Sequence, residues 1–292
     1  MVDNTTLEHL IVTVIAEDSV EYESPYLGQH GISLFLKTYR NGIDRNVLMD
    51  VAQNPDALLE NMDKMDIAPS GIDAIVLTHC HYDHTQGIAR ILREIGKRDV
   101  PVIAHPDLFR PHFIQDPVLR HIGMMDGDSA AEIEASGGRL FLTKDSLKIT
   151  SGLLTTGEVT RQTDFEEVGM NLFTIADGKL ETDPVRDDIS LVAVVKDKGL
   201  VILTGCSHAG IVNISHQAVE LTGTRKIHGI IGGFHLIEAS RQRIRKTVQE
   251  LEKFNPDWIA AGHCTGFKAQ VELHDTFKDR FTPLHTGMVF DI

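Results

Sequence analysis

The segment Thr78-His79-Cys80-His81-Tyr82-Asp83-His84 decides how this chain is read. It closes a short apolar run, residues 73–78, that reads as a buried strand. It precedes a stretch from about Thr85 to Ile95 in which Ile88, Ile91, Leu92 and Ile95 share one helical face. His79 and His81 are two apart on extended chain, so their rings leave on the same side. Asp83 and His84 open the turn and point to a neighbouring location. One segment thus offers two imidazoles to one metal ion, and a carboxylate plus an imidazole to a second. Such donors suit zinc, and also manganese or iron. The plain alternative is a histidine-rich surface loop. Three His and one Asp in six positions, at the end of a buried strand, argue against it.

Outward from this point the chain alternates short β-rich runs with helical ones. Residues 10–16, 32–39, 46–52 and 100–104 read as strands. Pro55 near a first turn, followed by Leu58, Leu59, Met62 and Met65, reads as an amphipathic helix. Successive strands are expected at 139–143, 147–154, 171–175, 189–195 and 199–204. Helices at 211–221, 241–254 and 267–279 then alternate with strands at 227–231, 257–261 and 285–291. Both halves run strands first, then strand–helix pairs. That order predicts an α/β protein whose two sheets pack face to face with helices outside, a four-layer αββα sandwich. No Gly/Ser/Pro linker divides it, so residues 1–292 are read as one domain. Residues 106–138 hold three Pro, an Asp-Gly and a Gly-Gly, and no sustained period. They read as a long, partly helical, lid-like excursion, since such loops usually serve a site.

Composition narrows the function classes. The chain has 292 residues, 42 of them acidic and 28 Lys or Arg, for a net charge of −14. That balance disfavours a nucleic-acid surface. No apolar run reaches the roughly 18 residues of a membrane span, and no signal-peptide pattern opens the sequence. Three cysteines make no disulfide framework, so a reducing, cytoplasmic setting is expected. The expected partner is a small, anionic substrate, with neither nucleic acid nor membrane. Monomer and homodimer both stay open. Fifteen histidines invite a metal site without proving one.

The pattern His-x-His-x-Asp-His after a strand resembles the signature of the metallo-β-lactamase superfamily, and the resemblance runs over nearly the whole chain. Further segments are similar to one archaeal and bacterial subgroup. They are Gln-His-Gly-Ile-Ser-Leu (29–34), Thr-Thr-Gly-Glu-Val-Thr-Arg (155–161), Leu-Thr-Gly-Cys-Ser-His-Ala-Gly-Ile-Val-Asn (203–213), Gly-Gly-Phe-His-Leu (232–236) and Gly-His-Cys-Thr-Gly (262–266). That subgroup is named for 7,8-dihydropterin-6-methyl-4-(β-D-ribofuranosyl)-aminobenzene-5'-phosphate synthase.

The resemblance implies a binuclear centre. Asp50, otherwise an ordinary strand-end residue, matches a carboxylate that orients a ligand imidazole and the metal-bound water. His263 matches the last motif and would join Asp83 and His84 on the second metal. The usual third-motif histidine has no counterpart here, and His208 is taken as its replacement beside His79 and His81. Cys206 stands where many relatives carry a bridging Asp. It is read either as a thiolate ligand or as a small buried residue. Cys264 is expected to face away and pack. His235 ends a strand on the same rim and is read as a substrate-binding or proton-donating residue, with mere packing as the alternative. His30, Glu158 and Arg161 are secondary candidates for substrate contact. His105, His112 and His121, in the excursion, are read as solvated or packed. His9, His216, His228, His274 and His285 are read as structural.

Two divalent cations are therefore the expected cofactors, zinc first. The expected activity is a hydrolase that uses a metal-bound hydroxide on a phosphoryl or acyl ester, with Asp50, Asp83 and His235 in the catalytic machinery. The alternative is a transferase in which the metals bind the pyrophosphate of an activated dihydropterin while an aromatic carbon or amine attacks. A redox di-iron protein is a third class, but that branch has Glu where His81 stands and a following flavodoxin domain. A non-catalytic metal-binding sensor is a fourth.

Overall fold

The computed structural model describes residues 6–115, 117–168 and 171–292. Two seven-stranded sheets lie face to face. The first runs in the order Val289–Asp291, His9–Ala16, Ser33–Arg40, Ile43–Met49, Ala74–Val76, Val100–Ala104, Gly138–Leu142. The second runs Phe281–Pro283, Trp258–Gly262, Ile227–Gly233, Gly199–Thr204, Leu191–Val195, Leu153–Thr155, Lys148–Thr150.

Strand alternation builds three apolar layers from these sheets. In Gly199–Thr204, Val201 and Leu203 face the first sheet, while Leu200 and Ile202 face the outer helices. In the first sheet, Leu34 and Leu36 point inward and Phe35 points outward. Each such buried side chain contributes roughly 1.5–3 kcal/mol. The helices Pro55–Lys64 and Ile88–Ile95 cover one outer face, and Ile211–Thr222, Arg241–Phe254 and Phe267–Phe277 cover the other. The result is the expected αββα sandwich. Among the described residues, no helix is long and apolar enough to cross a membrane.

Local chemistry sets the helix ends. The Asn54 side chain accepts from Asp56 N and Ala57 N, with Pro55 in the first turn. Glu166, 46 residues away in sequence, accepts from Val212 N at 2.9 Å and so caps Ile211–Thr222. The helix expected from 85 to 95 is broken. It forms as Tyr82–Thr85 and Ile88–Ile95, because Gly87 has φ +93° and a side chain there would meet the ring of Pro55 at 2.6 Å.

Other departures are topological. The run 147–154 is a hairpin of two short strands, Lys148–Thr150 and Leu153–Thr155. The last strand shrinks to Val289–Asp291 and returns to the first sheet beside His9–Ala16. Part of the excursion, with the strand expected at 171–175, makes a third sheet. Its order is Lys179–Thr182, Leu172–Ala176, His112–Gln115, Leu119–His121. Ile114, Ile122, Leu172 and Val185 pack beneath it, with Tyr82 against them.

The parallel strands place the site. Ile43–Met49, Ala74–Val76 and Val100–Ala104 are mutually parallel in one sheet. Gly199–Thr204, Ile227–Gly233 and Trp258–Gly262 are parallel in the other. Their C-terminal ends lead into Asp50, His79, Cys206, His235 and His263. Ligands in open α/β sheets bind outside such ends. Ile189 N donates to Thr78 O across the two sheets at 2.9 Å, tying the rims together.

Candidate metal centre

Asp83, His84, Cys206 and His263 each offer one donor atom within 4.8 Å of the others, and all four are buried. His84 Nε2 lies 3.1 Å from Cys206 Sγ, and His263 Nε2 lies 3.3 Å from the same sulfur. Asp83 Oδ2 is 3.3 Å from His263 Nε2 and 3.5 Å from His84 Nε2. Two imidazoles, a carboxylate and a thiol round one point are a donor set that could hold a metal ion.

Beside it, His79, Cys206 and His208 form a second convergent group sharing the same sulfur. The ring centroids of His79 and His208 are 4.8 Å apart, and both rings are fully buried. His79 Nε2 and both ring nitrogens of His208 have no hydrogen-bond partner. Buried polar atoms left in that state cost about 1–3 kcal/mol each. A cation held there would offset that cost, so these residues fit a metal. The His81 ring is 4.6 Å from His79 and 4.8 Å from His208, within the same cluster.

Electrostatics leave three of the imidazoles, His79, His81 and His208, in their neutral form. Burial, and then crowding by neighbouring imidazoles, pushes His79 and His208 well below the usual histidine range. Burial does the same to His81, followed by His112. Neutral rings keep their lone pairs. Burial alone would raise the Asp83 carboxyl, but His84 and His263 hold it well below the usual range. Burial works against a charged His263, yet Cys264, Asp18 and Asp83 push it upward. Burial pushes the Asp188 carboxyl up to about 7.

A network outside the donors orients them. Asp50 Oδ1 accepts from Thr78 N, and its Oδ2 accepts from Thr78 Oγ1, both at 2.7 Å; Oδ2 also lies 2.7 Å from His84 Nδ1. A side chain on Gly205 would meet Thr78 Oγ1 at 2.3 Å and Asp50 Oδ2 at 2.9 Å, so only glycine fits against this triad. Asp18 Oδ2 contacts His263 Nδ1 at 2.5 Å, and Glu17 accepts from His263 N. Asp50, His235 and His263 sit at φ +58°, +42° and +49°. Each such left-handed conformation costs on the order of 1–3 kcal/mol.

Above the donors is a cleft of about 210 Å³ whose lining includes His81, Asp83, Cys206, His235 and His263. Tyr82, Ile114, Ile122 and Ile237 form apolar walls, and the exposed Arg120 stands at its edge. A second cavity of about 350 Å³ adjoins it through His235.

The convergent donor groups contain His79, Asp83, His84, Cys206, His208, His235 and His263, while His81 lies beside them by its ring contacts to His79 and His208. His30 also lines the cleft, with Nδ1 2.9 Å from Asp18 and Nε2 3.5 Å from Asp83. Several expectations need correction. Glu158 does not line the cleft; its carboxylate meets His105 at 3.3 Å and Lys144 at 3.5 Å. Arg161 does not line it either, because its guanidinium donates to the carbonyls of His208 and Pro184. Cys264 does not face away. It lines the cleft and accepts from His235 N at 3.3 Å. Of the two readings for His112 the packed one holds: it is fully buried, with Nε2 2.8 Å from His81 Nε2. Sequence reasoning missed Asp18, Arg110, Arg120, Asp183, Asp187 and Asp188. The acidic pairs Glu17-Asp18 and Asp187-Asp188 beside apolar runs were visible signals; Arg110, Arg120 and Asp183 carried none.

Comparison with known proteins bears on the fold and the family. The family model of the β-lactamase superfamily domain matches residues 45–150. The chain is 37% identical to 7,8-dihydropterin-6-methyl-4-(β-D-ribofuranosyl)-aminobenzene-5'-phosphate synthase of Methanocaldococcus jannaschii, over 97% of each chain. A second, uncharacterized protein of that organism is 33% identical over 95% of this chain and 99% of its own. Among solved structures, a metal-dependent hydrolase of the β-lactamase superfamily aligns with a TM-score of 0.80 at 23% identity, covering 97% of this chain and 99% of its own. A metallo-β-lactamase fold protein from Bacillus subtilis aligns with a TM-score of 0.57 at 13% identity, covering 98% of this chain and 100% of its own. The chain is an enzyme with the metallo-β-lactamase fold and belongs to the family of the M. jannaschii synthase.

Proposed function

We propose that this chain is a binuclear metal enzyme that joins a dihydropterin-6-methyl group to a ribofuranosyl-aminobenzene phosphate, as its relative's name describes. The observation that carries this reading is the 37% identity to that synthase along 97% of both chains. In this reading His79, His81 and His208 hold one cation, and Asp83, His84 and His263 hold the other, with Cys206 between them. Two divalent cations, zinc first, would supply Lewis-acid neutralisation of an anionic group. The residues of the chain do the rest. Asp50 keeps His84 aimed at the centre. The apolar walls of Tyr82, Ile114 and Ile122 receive a ring, and Arg120 meets a phosphate at the edge. A carbon–oxygen bond to a diphosphate leaving group breaks as the bond to the aminobenzene partner forms. His235 takes up the proton released.

A second reading is hydrolysis of a single phosphoryl or acyl ester. The metal-dependent hydrolase of the β-lactamase superfamily that aligns at a TM-score of 0.80 favours it. One experiment separates the two. The purified, zinc-loaded chain is given an activated dihydropterin-6-methyl diphosphate, with and without the ribofuranosyl-aminobenzene phosphate, and products are resolved by mass spectrometry. The joined product, formed only with both substrates, is the expected result. Hydroxymethyl-dihydropterin formed at the same rate with or without the second substrate would replace the synthase reading with the hydrolase one.

A further inference from the structure

His81 is set apart from the other proposed ligands by what lies behind it. Its Nε2 is 2.8 Å from His112 Nε2, both rings being buried. His112 Nδ1 is in turn 2.6 Å from Asp183 Oδ2. The Asp183 carboxylate also accepts from Arg110 Nε at 2.5 Å and from Val185 N at 2.7 Å. Arg110 reaches further, to Asp187 Oδ1 at 2.8 Å. Asp187 accepts, through its other oxygen, from the backbone N–H of Cys80 at 2.7 Å. One guanidinium thus bridges a carboxylate that pins the chain between His79 and His81 and a carboxylate that faces His112.

Proton accounting fixes the direction of this chain. A carboxylate only accepts, so His112 Nδ1 carries the proton it shares with Asp183. His112 occupies His81 Nε2, so Nδ1 is the nitrogen that His81 can still offer. An imidazole that gives its Nδ1 lone pair to a cation keeps its hydrogen on Nε2, and the short contact then runs from His81 to His112. We propose that His112 and Asp183 are positioning residues that hold His81 as the Nε2–H tautomer, so that its Nδ1 faces the cation shared with His79 and His208. The inference deepens the metal-centre reading and rests on it. It also gives the third sheet a role. His112 lies in the strand His112–Gln115 and Asp183 follows the strand Lys179–Thr182, so the sheet that walls the cleft sets a ligand of the metal.

The test uses the zinc-loaded protein and three variants, His112→Leu, His112→Gln and Asp183→Asn. Zinc affinity is read by chelator competition, the His81 tautomer by ¹⁵N NMR of the imidazoles, and folding by circular dichroism. His112→Leu removes the acceptor and should weaken one of the two cations about 10- to 100-fold. His112→Gln restores an acceptor carbonyl and should recover most of that loss. Asp183→Asn should broaden or shift the His81 Nε2–H signal seen in the wild type. Equal zinc affinity in the wild type and the Leu variant overturns the proposal. Equal weakening in the Leu and Gln variants, both folded, also overturns it, because packing alone would then explain His112. A wild-type chain that binds no zinc overturns the metal-centre reading itself, and the relay falls with it.

Discussion

Asp50 shows how much a single carboxylate can settle at this rim. It is fully buried, lies in a left-handed conformation, and takes three groups at 2.7 Å, two from Thr78 and one from His84. Removing it leaves Thr78 N and His84 Nδ1 buried without this partner, at about 1–3 kcal/mol each. Asp50→Ala should therefore lose several kcal/mol of stability and about 10- to 100-fold in affinity for the cation that His84 binds. Urea unfolding and chelator competition measure the two effects. A loss of stability with unchanged metal affinity would mean that Asp50 only packs. Asp188 makes a different prediction at the same scale. Its Oδ2 accepts from Ala209 N at 2.7 Å, while Oδ1 has no partner. Burial raises this carboxyl to about 7 in the metal-free protein. A carboxyl whose folded value lies above its unfolded one favours the protonated form. It costs nothing below about pH 4, costs progressively more up to about pH 7, and costs a constant amount above that. Asp188→Asn keeps an acceptor for Ala209 and loses the charge. The metal-free variant should thus be more stable than wild type at pH 8, by on the order of a few kcal/mol, and equal to it at pH 4. Denaturant midpoints at the two pH values decide this, and an identical difference at both would refute it.

At the scale of elements, legibility followed locality. The strand 73–78 and its His-rich exit were readable because burial, period and ligand spacing lie within a dozen residues. Helices such as Arg241–Phe254 were readable because Ile244, Val248 and Leu251 mark one face. The third sheet was not, since it pairs Leu172 with Ile114 across nearly 60 residues that contain no shared pattern. The packed reading of His112 could not name its partners for that reason. Its neighbours in sequence look like loop, and its real partners, His81 and Asp183, arrive only with the tertiary fold. Glu158 and Arg161 were misplaced for the same reason, because their partners, His105 and the His208 carbonyl, lie 53 and 47 residues away in sequence. The same sheet carries Arg120, paired opposite Ile114 and lining the cleft. If this strand recognises a phosphate at its edge, Arg120→Ala should raise KM roughly tenfold, the equivalent of about 1.4 kcal/mol, and leave kcat nearly unchanged. A fall in kcat with constant KM would place Arg120 at the reacting atoms instead. Steady-state kinetics with the substrate that passes the mass-spectrometric test supply the comparison.

At the scale of the whole molecule, the donors come from both halves of the sandwich. His79, Asp83 and His84 leave the first sheet, and Cys206, His208 and His263 leave the second. The apolar layer between the sheets holds them together everywhere else, through contacts such as Leu34, Met49, Leu203 and Ile231. At the rim that layer gives way to buried polar groups, among them the unpartnered nitrogens of His79 and His208. Cations bound there would join the two sheets at the one edge where hydrophobic packing cannot. A ligand that binds only the folded state at 100 times its Kd stabilises by about 2.7 kcal/mol. For a chain of this size each kcal/mol moves Tm by roughly 2–4 °C. Removing metal with a chelator should therefore lower Tm by at least about 5 °C, and adding zinc back should restore it. His208→Ala should lose part of the shift and retain the cation held by Asp83, His84 and His263, so its chelator-induced drop should be smaller but not zero. Scanning calorimetry on wild type and variant, each with and without chelator, measures this directly. A wild-type Tm indifferent to chelator, with metal analysis confirming removal, would show that the sheets close without the cations and that the rim is not their joint.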